Sequence, residues 1–365
     1  MNANDFYNAL ISRGITSFCG VPDSLLKEFC ACVAHRTDNR HNIITANEGN
    51  ALAFAAGHYL ATGFPAAVYM QNSGLGNIVN PLLSLTDEEV YNIPALLIIG
   101  WRGEPEIYDE PQHVKQGKLT LPLLDTMGIR YEILQNVSQI TTASDYMRAT
   151  NKPFALIVKK GTFEEYPDKP EKQKKYDLSR EQAIQTVISL LSEKDIVVST
   201  TGMISRELYE NRSSHEKDFL TVGSMGHASS IAFGIAINKS DRKVFCFDGD
   251  GAFLMHMGAA AVIASRNLPN LKHIVFNNEA HDSVGGQPTV MDSVDLSEAA
   301  KACGYHKAYT ARSVEDICSV WKTFYNATES CFLEIKVRSG ARKDLGRPKE
   351  KPIENRQAFM AFVRG

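Results

Sequence analysis

Along the chain, short apolar runs alternate with stretches whose apolar positions recur at helical spacing. Runs of strand length fall at 17–19, 43–45, 66–70, 95–99 and 155–158, with helical patterns such as 23–34 and 48–61 between them. The runs are apolar throughout rather than alternating, so each strand needs cover on both faces. That is the βαβ pattern of a parallel sheet with helices on both sides. The rhythm stops at 161–178, where EEYPDKPEKQKK is mostly charged and carries two prolines. Such composition predicts an exposed linker, placed at 163–178. The rhythm restarts with runs at 196–199, 219–222, 244–247, 274–277 and 331–337. The pattern therefore predicts two doubly wound α/β domains, 1–162 and 179–365. Their order of elements is alike, without an internal sequence repeat. The tail SGARKDLGRPKEKP (339–352) is basic and irregular, and a short helix is predicted at 353–363.

Composition narrows the classes of function. A length of 365 residues suits two domains, and 44% hydrophobic with 22% charged residues is ordinary for a soluble globular protein. A net charge of −3 gives no basis for nucleic acid as a partner. The seven cysteines include no C-x-x-C pair, and most sit in apolar runs, as Cys246 does in KVFCFD. They read as reduced core thiols of a cytoplasmic protein. The opening MNANDFYNALISRG lacks the build of a signal peptide, and no apolar run reaches membrane-spanning length.

Two strand ends carry the chemistry. KVFCFDGDGA (243–252) ends in Asp248-Gly249-Asp250-Gly251, and KHIVFNNEA (272–280) ends in Asn277-Asn278-Glu279. Ligands of open parallel sheets bind beyond the carboxyl ends of the strands. A helix predicted at 251–265 would present free N–H groups and its positive dipole end to a phosphate. Gly249 and Gly251 let the backbone approach a ligand. Asp250 and Asn278, one helix and one strand apart, supply hard oxygens suited to Mg²⁺, which shares its coordination with substrate phosphate. Together these features predict a diphosphate held through a divalent metal.

G-D-G followed at this interval by N-N resembles the signature of enzymes that use thiamine diphosphate. The resemblance implies that Asp250 and Asn278 are metal ligands, with the backbone carbonyl of Ala280, and that Gly249, Asp250, Gly251 and Ala252 meet the cofactor. It also implies a glutamate in the first domain, hydrogen-bonded to N1′ of the aminopyrimidine ring. TANEGNALAFAAGHYLATG supplies Glu48 after a short run and at the start of an Ala-rich helix. Alone, such a Glu reads as a dipole-friendly first-turn residue; in this company it is the predicted catalytic residue. In VGSMGHASSIAFGIAI (222–237) Met225 takes the place of the bulky residue that bends the cofactor, with Gly223 and Ser224 beside it. TTGMISRELY (200–209) is a further strand-to-helix turn, where Thr201, Gly202 and Met203 are expected to offer N–H groups to the diphosphate. Asn72 completes the expected cofactor contacts.

Many such decarboxylases carry a middle domain, for which this chain has no room. The compact arrangement resembles phosphonopyruvate and sulfopyruvate decarboxylases, and GVPDSLL, YMQNSGLGN, GWRGEPEIYDEPQHVKQG, AHDSVGGQPT and SGARKDLGRP favour the phosphonopyruvate group. The resemblance covers nearly the whole chain. It implies decarboxylation of phosphonopyruvate to phosphonoacetaldehyde and CO₂, and a homo-oligomer of at least two chains sharing each cofactor. A substrate with a carboxylate and a phosphonate needs cations, for which Arg102, His113, Lys115, Arg342 and Lys343 are available. Asp23, Ser24, Asn72, His281 and Ser283 are polar groups expected near the ketone. Two rival readings stand: the same chemistry on sulfopyruvate, and a dinucleotide-dependent oxidoreductase built on SGLGN (73–77), whose match to the glycine fingerprint is imperfect.

Overall fold

A computed structural model describes residues 1–168 and 175–365. The chain divides into two compact units, Met1–Glu171 and Lys172–Gly365. The first holds strands β1 (Phe18–Gly20), β2 (Asn42–Ile44), β3 (Ala67–Gln71), β4 (Leu96–Gly100), β5 (Arg130–Ile133) and β6 (Phe154–Val158). The second holds β7 (Ile196–Ser199), β8 (Asp218–Leu220), β9 (Val244–Gly249), β10 (Leu271–Asn277), β11 (Lys307–Ala311) and β12 (Cys331–Lys336). Each unit is one six-stranded sheet, ordered β2-β1-β3-β4-β6-β5 and β11-β12-β10-β9-β7-β8. All pairings are parallel. Read from β8 to β11, the second order repeats the first strand for strand. The chain thus folds the same topology twice from sequences that show no repeat.

The central strands set this architecture. β4 (LLIIG) and β6 (FALIV) are buried at every residue, and β10 is buried through Asn277. Each sheet carries an apolar layer on both faces: in the first unit one around Phe6, Phe29 and Phe154 and one around Leu52, Ile78 and Ile99. In the second unit the corresponding layers gather around Phe245 and Trp321, and around Phe253 and Phe332. Each fully buried Leu, Ile or Phe is worth about 2 kcal/mol relative to exposure, so polar residues are driven to the strand ends. In both sheets the chain steps outward from its first strand to its second and then crosses to the other side. The reversals fall between β1 and β3 and between β7 and β9, and a crevice opens beyond the carboxyl ends at such points.

The structure differs from the sequence reading in five places. β5 and β11 have no predicted counterpart; both are sheet edges, only partly buried along most of their length. The helix expected from residue 23 starts at Lys27, because Asp23 closes a turn by accepting from the Leu25 N–H at 3.0 Å. The helix expected at 251–265 is two short helices, Asp250–Met255 and Gly258–Ala264, broken at His256 (φ −132°, ψ 43°). The predicted linker 163–178 is packed at both ends: Phe163 and Tyr166 lie in the first core and Leu178 in the second, while residues 169–174 lie outside the described residues. The basic tail is held by Arg206, which donates to the carbonyls of Leu345 and Gly346, and ends in the helix Pro352–Arg364. That helix lies on the edge strand β8, where Asn355 gives its amide N–H to Asp218 O (2.8 Å) and accepts the Leu220 N–H (3.2 Å).

Candidate active site

The strand-end turns of the second unit converge. After β7, Gly202 takes φ +93°, and Ser283 Oγ lies 2.7 Å from where a side chain there would begin. Thr201 Oγ1 accepts the Gly223 N–H at 3.0 Å, tying this turn to the one after β8. There Gly223, Ser224 and Gly226 all have positive φ, and Ser224 Oγ lies 3.1 Å from His227 Nδ1. Beside Gly251, the His281 ring would stand 2.8 Å from a side chain and Met225 Cε 3.5 Å away. The fold thus gathers Thr201, Gly202, Met225, Gly251, His281 and Ser283, all drawn from the predicted set. Met203 opens the helix Met203–Asn211 and Ala252 lies buried in the first turn after Asp250. Because the helix after Asp250 is short, the long dipole expected from 251–265 is absent.

Asp250 is 3% exposed, and burial pushes its carboxyl up to about 7. The Thr289 hydroxyl, donating to Oδ2 at 2.6 Å, and nearby backbone N–H groups oppose that rise. Asn278 gives its amide Nδ2–H to Asp282 Oδ2 at 2.6 Å, so its Oδ1 faces away, meeting the Ala280 N–H at 3.3 Å. Loss of solvent pulls the His281 imidazole down to about 4, leaving it neutral near pH 7. A buried carboxylate and an amide oxygen, with the Ala280 carbonyl two residues further on, form a hard-oxygen set that fits Mg²⁺ or Ca²⁺ rather than a thiolate-seeking metal. The fit is also electrostatic, since a cation would offset the burial that Asp250 suffers. The other cluster of potential ligands among the described residues, Cys246, Asp248 and His273, is sealed in the core, with His273 between Tyr305 and Asp248.

In the first unit Glu48 opens the helix Glu48–Thr62 and is 4% exposed. Asn47 caps that helix by accepting from Asn50 N–H at 3.0 Å. Burial raises the Glu48 carboxyl, and the Asn77 amide, donating to Oε2 at 2.7 Å, partly offsets this. Gly74 lies against the same carboxylate: a side chain there would start 2.6 Å from Glu48 Cδ. Gly74 of SGLGN therefore makes room for Glu48, and Gly76 faces open space.

The polar residues beyond β1, β3 and β4 form a second group. Arg102 makes a two-point ion pair with Asp109 (Nε–Oδ2 2.7 Å, Nη2–Oδ1 2.5 Å) and donates to Ser24 Oγ at 2.9 Å. Asp23 is fully buried; burial raises its carboxyl, against the Gln71 amide at 2.7 Å. Asn72 donates to Arg102 O and Thr120 Oγ1, both at 2.8 Å, so its amide is engaged within the fold. His113 is buried with Nδ1 unpartnered among the described residues, and burial with the Arg102 charge lowers its pKa. Lys115 is exposed on the helix Pro111–Thr126. In the second unit Lys343 is exposed, and Arg342 is ion-paired with Glu181, Glu210 and Asp344. Sequence reasoning missed Asn77, Thr289, Asp109 and Asp282; each reaches the site from a separate loop or helix, and no local pattern marks it.

A glutamate buried at a helix start in the first unit, and a strand-end oxygen set beside a glycine-lined turn in the second, are the features that the resemblance calls for. The family models agree: residues 2–129 match the thiamine pyrophosphate enzyme N-terminal TPP binding domain, and 199–335 the C-terminal TPP binding domain. The chain belongs to the thiamine pyrophosphate-dependent enzymes. It is 34% identical over its whole length to phosphonopyruvate decarboxylase of Streptomyces viridochromogenes, 95% of which is covered. Phosphonopyruvate decarboxylase of Streptomyces hygroscopicus is 32% identical over the whole chain, with 94% covered. Sulfopyruvate decarboxylase of Methanosarcina acetivorans is 29% identical over 90% of the chain, with 89% of its own length covered.

The burial of these carboxylates has measurable consequences. Asp250 titrates near 7 when folded and near 3.8 when unfolded, so the metal-free protein is penalised as pH rises through that window. The penalty is absent below the lower value and complete above the upper, at about 4 kcal/mol. Asp250→Asn, which still accepts from Thr289, should melt higher than wild type at pH 8 without metal, with the difference shrinking toward pH 4. Thermal scans across that range check it. Gly74→Ala and Gly76→Ala should have opposite signs. Gly74 abuts Glu48 while Gly76 faces open space in the helix Leu75–Pro81. The first should cost about 1–3 kcal/mol through overpacking; the second should gain up to about 1 kcal/mol, both read by urea denaturation.

Proposed function

We propose that the protein is a thiamine diphosphate- and Mg²⁺-dependent decarboxylase that converts 3-phosphonopyruvate to phosphonoacetaldehyde and CO₂. When bound, the cofactor supplies a thiazolium carbon that adds to a 2-keto group and accepts the electron pair released as CO₂ departs. The observation that carries the reading is the buried Glu48, whose carboxyl is raised by desolvation and held by Asn77. A carboxyl with a raised pKa can share a proton with a ring nitrogen, here N1′ of the aminopyrimidine. Asp250, Asn278 and the Ala280 carbonyl would hold the metal, and the turn N–H groups at Thr201, Gly202 and Met203 the diphosphate. Gly249, Gly251 and Ala252 leave room for the diphosphate, Gly223 and Ser224 flank the pyrimidine, and Met225 supports the bend between the two rings. Neutral His281 and Ser283, beside the glycine turns, suit orientation and proton transfer at the ketone. Asn72, already bonded within the fold, acts by fixing the Arg102 backbone. The reading includes Mg²⁺ as the metal, a cytoplasmic location and assembly at least as a dimer; no helix among the described residues is long and apolar enough to cross a membrane.

The full-length relatives named for phosphonopyruvate support the substrate. Among the cations, Arg102 is the one whose guanidinium the fold fixes beside Ser24. A phosphonate there competes with Asp109 for the same two-point geometry. Arg342, already balanced by three carboxylates, is the weaker choice, and Lys115, Lys343 and His113 supply secondary charge or hydrogen bonds.

Two measurements test the reading. Glu48→Gln should keep the fold and keep thiamine diphosphate and metal binding, yet slow exchange of the cofactor's C2 proton into deuterated water by orders of magnitude; exchange at the wild-type rate refutes the catalytic assignment. Aldehyde release should be faster from phosphonopyruvate than from sulfopyruvate or pyruvate. Arg102→Met should raise KM for phosphonopyruvate about 10- to 100-fold, the loss of a charged hydrogen bond, and change pyruvate turnover much less. Preference for sulfopyruvate would transfer the assignment to that substrate.

A further inference from the structure

Asp282 lies four residues beyond Asn278, outside the strand-end motifs. Its Oδ2 accepts three hydrogen bonds: from Asn278 Nδ2 at 2.6 Å, Arg180 Nη1 at 2.9 Å and the Gly340 backbone N–H at 2.8 Å. Arg180 is 4% exposed and is held on its other edge by Glu207, through Nε–Oε2 at 2.8 Å and Nη2–Oε1 at 3.0 Å. Glu207 is 1% exposed. Two segments distant in sequence, around Arg180 and Gly340, thus converge on one carboxylate oxygen, with Glu207 holding Arg180 from its other edge.

Neutralising Arg180 does not explain the arrangement, because Glu207 already gives it a two-point partner. Asp282 Oδ1 is buried and has no hydrogen-bond partner among the described residues. Leaving one oxygen unpaired while concentrating three donors on the other costs stability. That cost is accounted for by what Oδ2 does to Asn278. An ionised carboxylate only accepts. The Asn278 group facing it must therefore be the NH₂, and the reversed amide would set oxygen against oxygen. Asn278 can then present only its carbonyl on the opposite side, where the Ala280 N–H lies at 3.3 Å and a lone pair is left for a cation.

We propose that Asp282, anchored by Arg180 and Gly340, is a positioning residue that locks the Asn278 amide with its oxygen toward the divalent metal. This rests on the metal assignment of the preceding section. Neighbours that orient metal ligands in this way are worth about 10- to 100-fold in metal affinity. The device matters most for Mg²⁺, which demands near-ideal octahedral geometry, and least for Ca²⁺, which accepts irregular ligand sets.

The test is calorimetric titration of Mg²⁺ and of Ca²⁺ into the full chain with thiamine diphosphate present, alongside melting of the cofactor-free protein. Asp282→Ala should raise the Kd for Mg²⁺ about 10- to 100-fold, affect Ca²⁺ less, and leave the fold intact because Arg180 keeps Glu207. Asp282→Asn can retain an oxygen at the Oδ2 position and put its NH₂ where Oδ1 has no partner, so its Mg²⁺ affinity should stay close to wild type. Unchanged Mg²⁺ affinity in Asp282→Ala, or equal losses for the two ions, would overturn the proposal. If Asp282→Ala does not fold, a tenfold loss in Asp282→Asn overturns it and retained affinity supports it. A wild-type protein that binds no Mg²⁺ with the cofactor present would instead refute the metal assignment itself, since the failure would precede any substitution.

Discussion

Sheets that are apolar on both faces leave polar side chains only the strand ends, and this constraint governs the molecule. β4 and β6 carry no charged side chain, since one there would be left unpaired in the core, and β10 carries Lys272 only near its start, where the Ala327 carbonyl accepts from it at 3.0 Å. The polar groups of the candidate site therefore collect where β1 to β4 and where β7 to β10 stop. The constraint also explains why these carboxylates have raised pKa values. Asp23, Glu48 and Asp250 sit at the rim of cores that exclude water; neutral donors offset the burial of Glu48 and Asp250, and at Asp23 the Arg102 charge helps, but burial prevails in all three. A site built there is ready to accept a cation or share a proton, at a cost in stability while it stands empty.

The same constraint decides what is legible in the sequence. A polar residue directly after an apolar run is a local signal, so Asp250 and Asn278 stand out from the order of residues, whereas Glu48, alone an ordinary first-turn residue, stands out only through the family resemblance. The central strands are legible because their runs are unbroken. Residues that act from elsewhere are not. Asn77 reaches Glu48 from the helix after β3, Thr289 reaches Asp250 across a loop, and Arg180 comes from the first helix of its unit. The charge of Arg102 is visible, but its neutralisation by Asp109 is not, because the pair depends on how the loop after β4 folds back. The break at His256 is hidden for a related reason: GAFLMHMGAAAVIAS is helical in composition, and the neighbours of His256, among them Gly226, interrupt it.

Two units with one topology carry different chemistry, at different strand ends. In the first, the helix after the second strand begins with a buried acid that touches a glycine and an asparagine. In the second, the turn after the third strand presents an acid to a hydroxyl and lies near a neutral histidine. Each family model covers one of the two units, residues 2–129 in the first and 199–335 in the second.

The edges of the two sheets have a consequence of another kind. A sheet edge is a row of open hydrogen-bonding groups that invites a strand from another molecule. β2 and β8 offer only three residues each, and β5 and β11 carry charge, as Arg130, Glu132 and Lys307. At β8 the side-chain amide of Asn355 occupies the place of a neighbouring strand, donating and accepting as a peptide group would. The polarity that hides β5 and β11 from a hydrophobic reading thus also makes them poor templates for aggregation, and the C-terminal helix acts as a seal as well as a terminus.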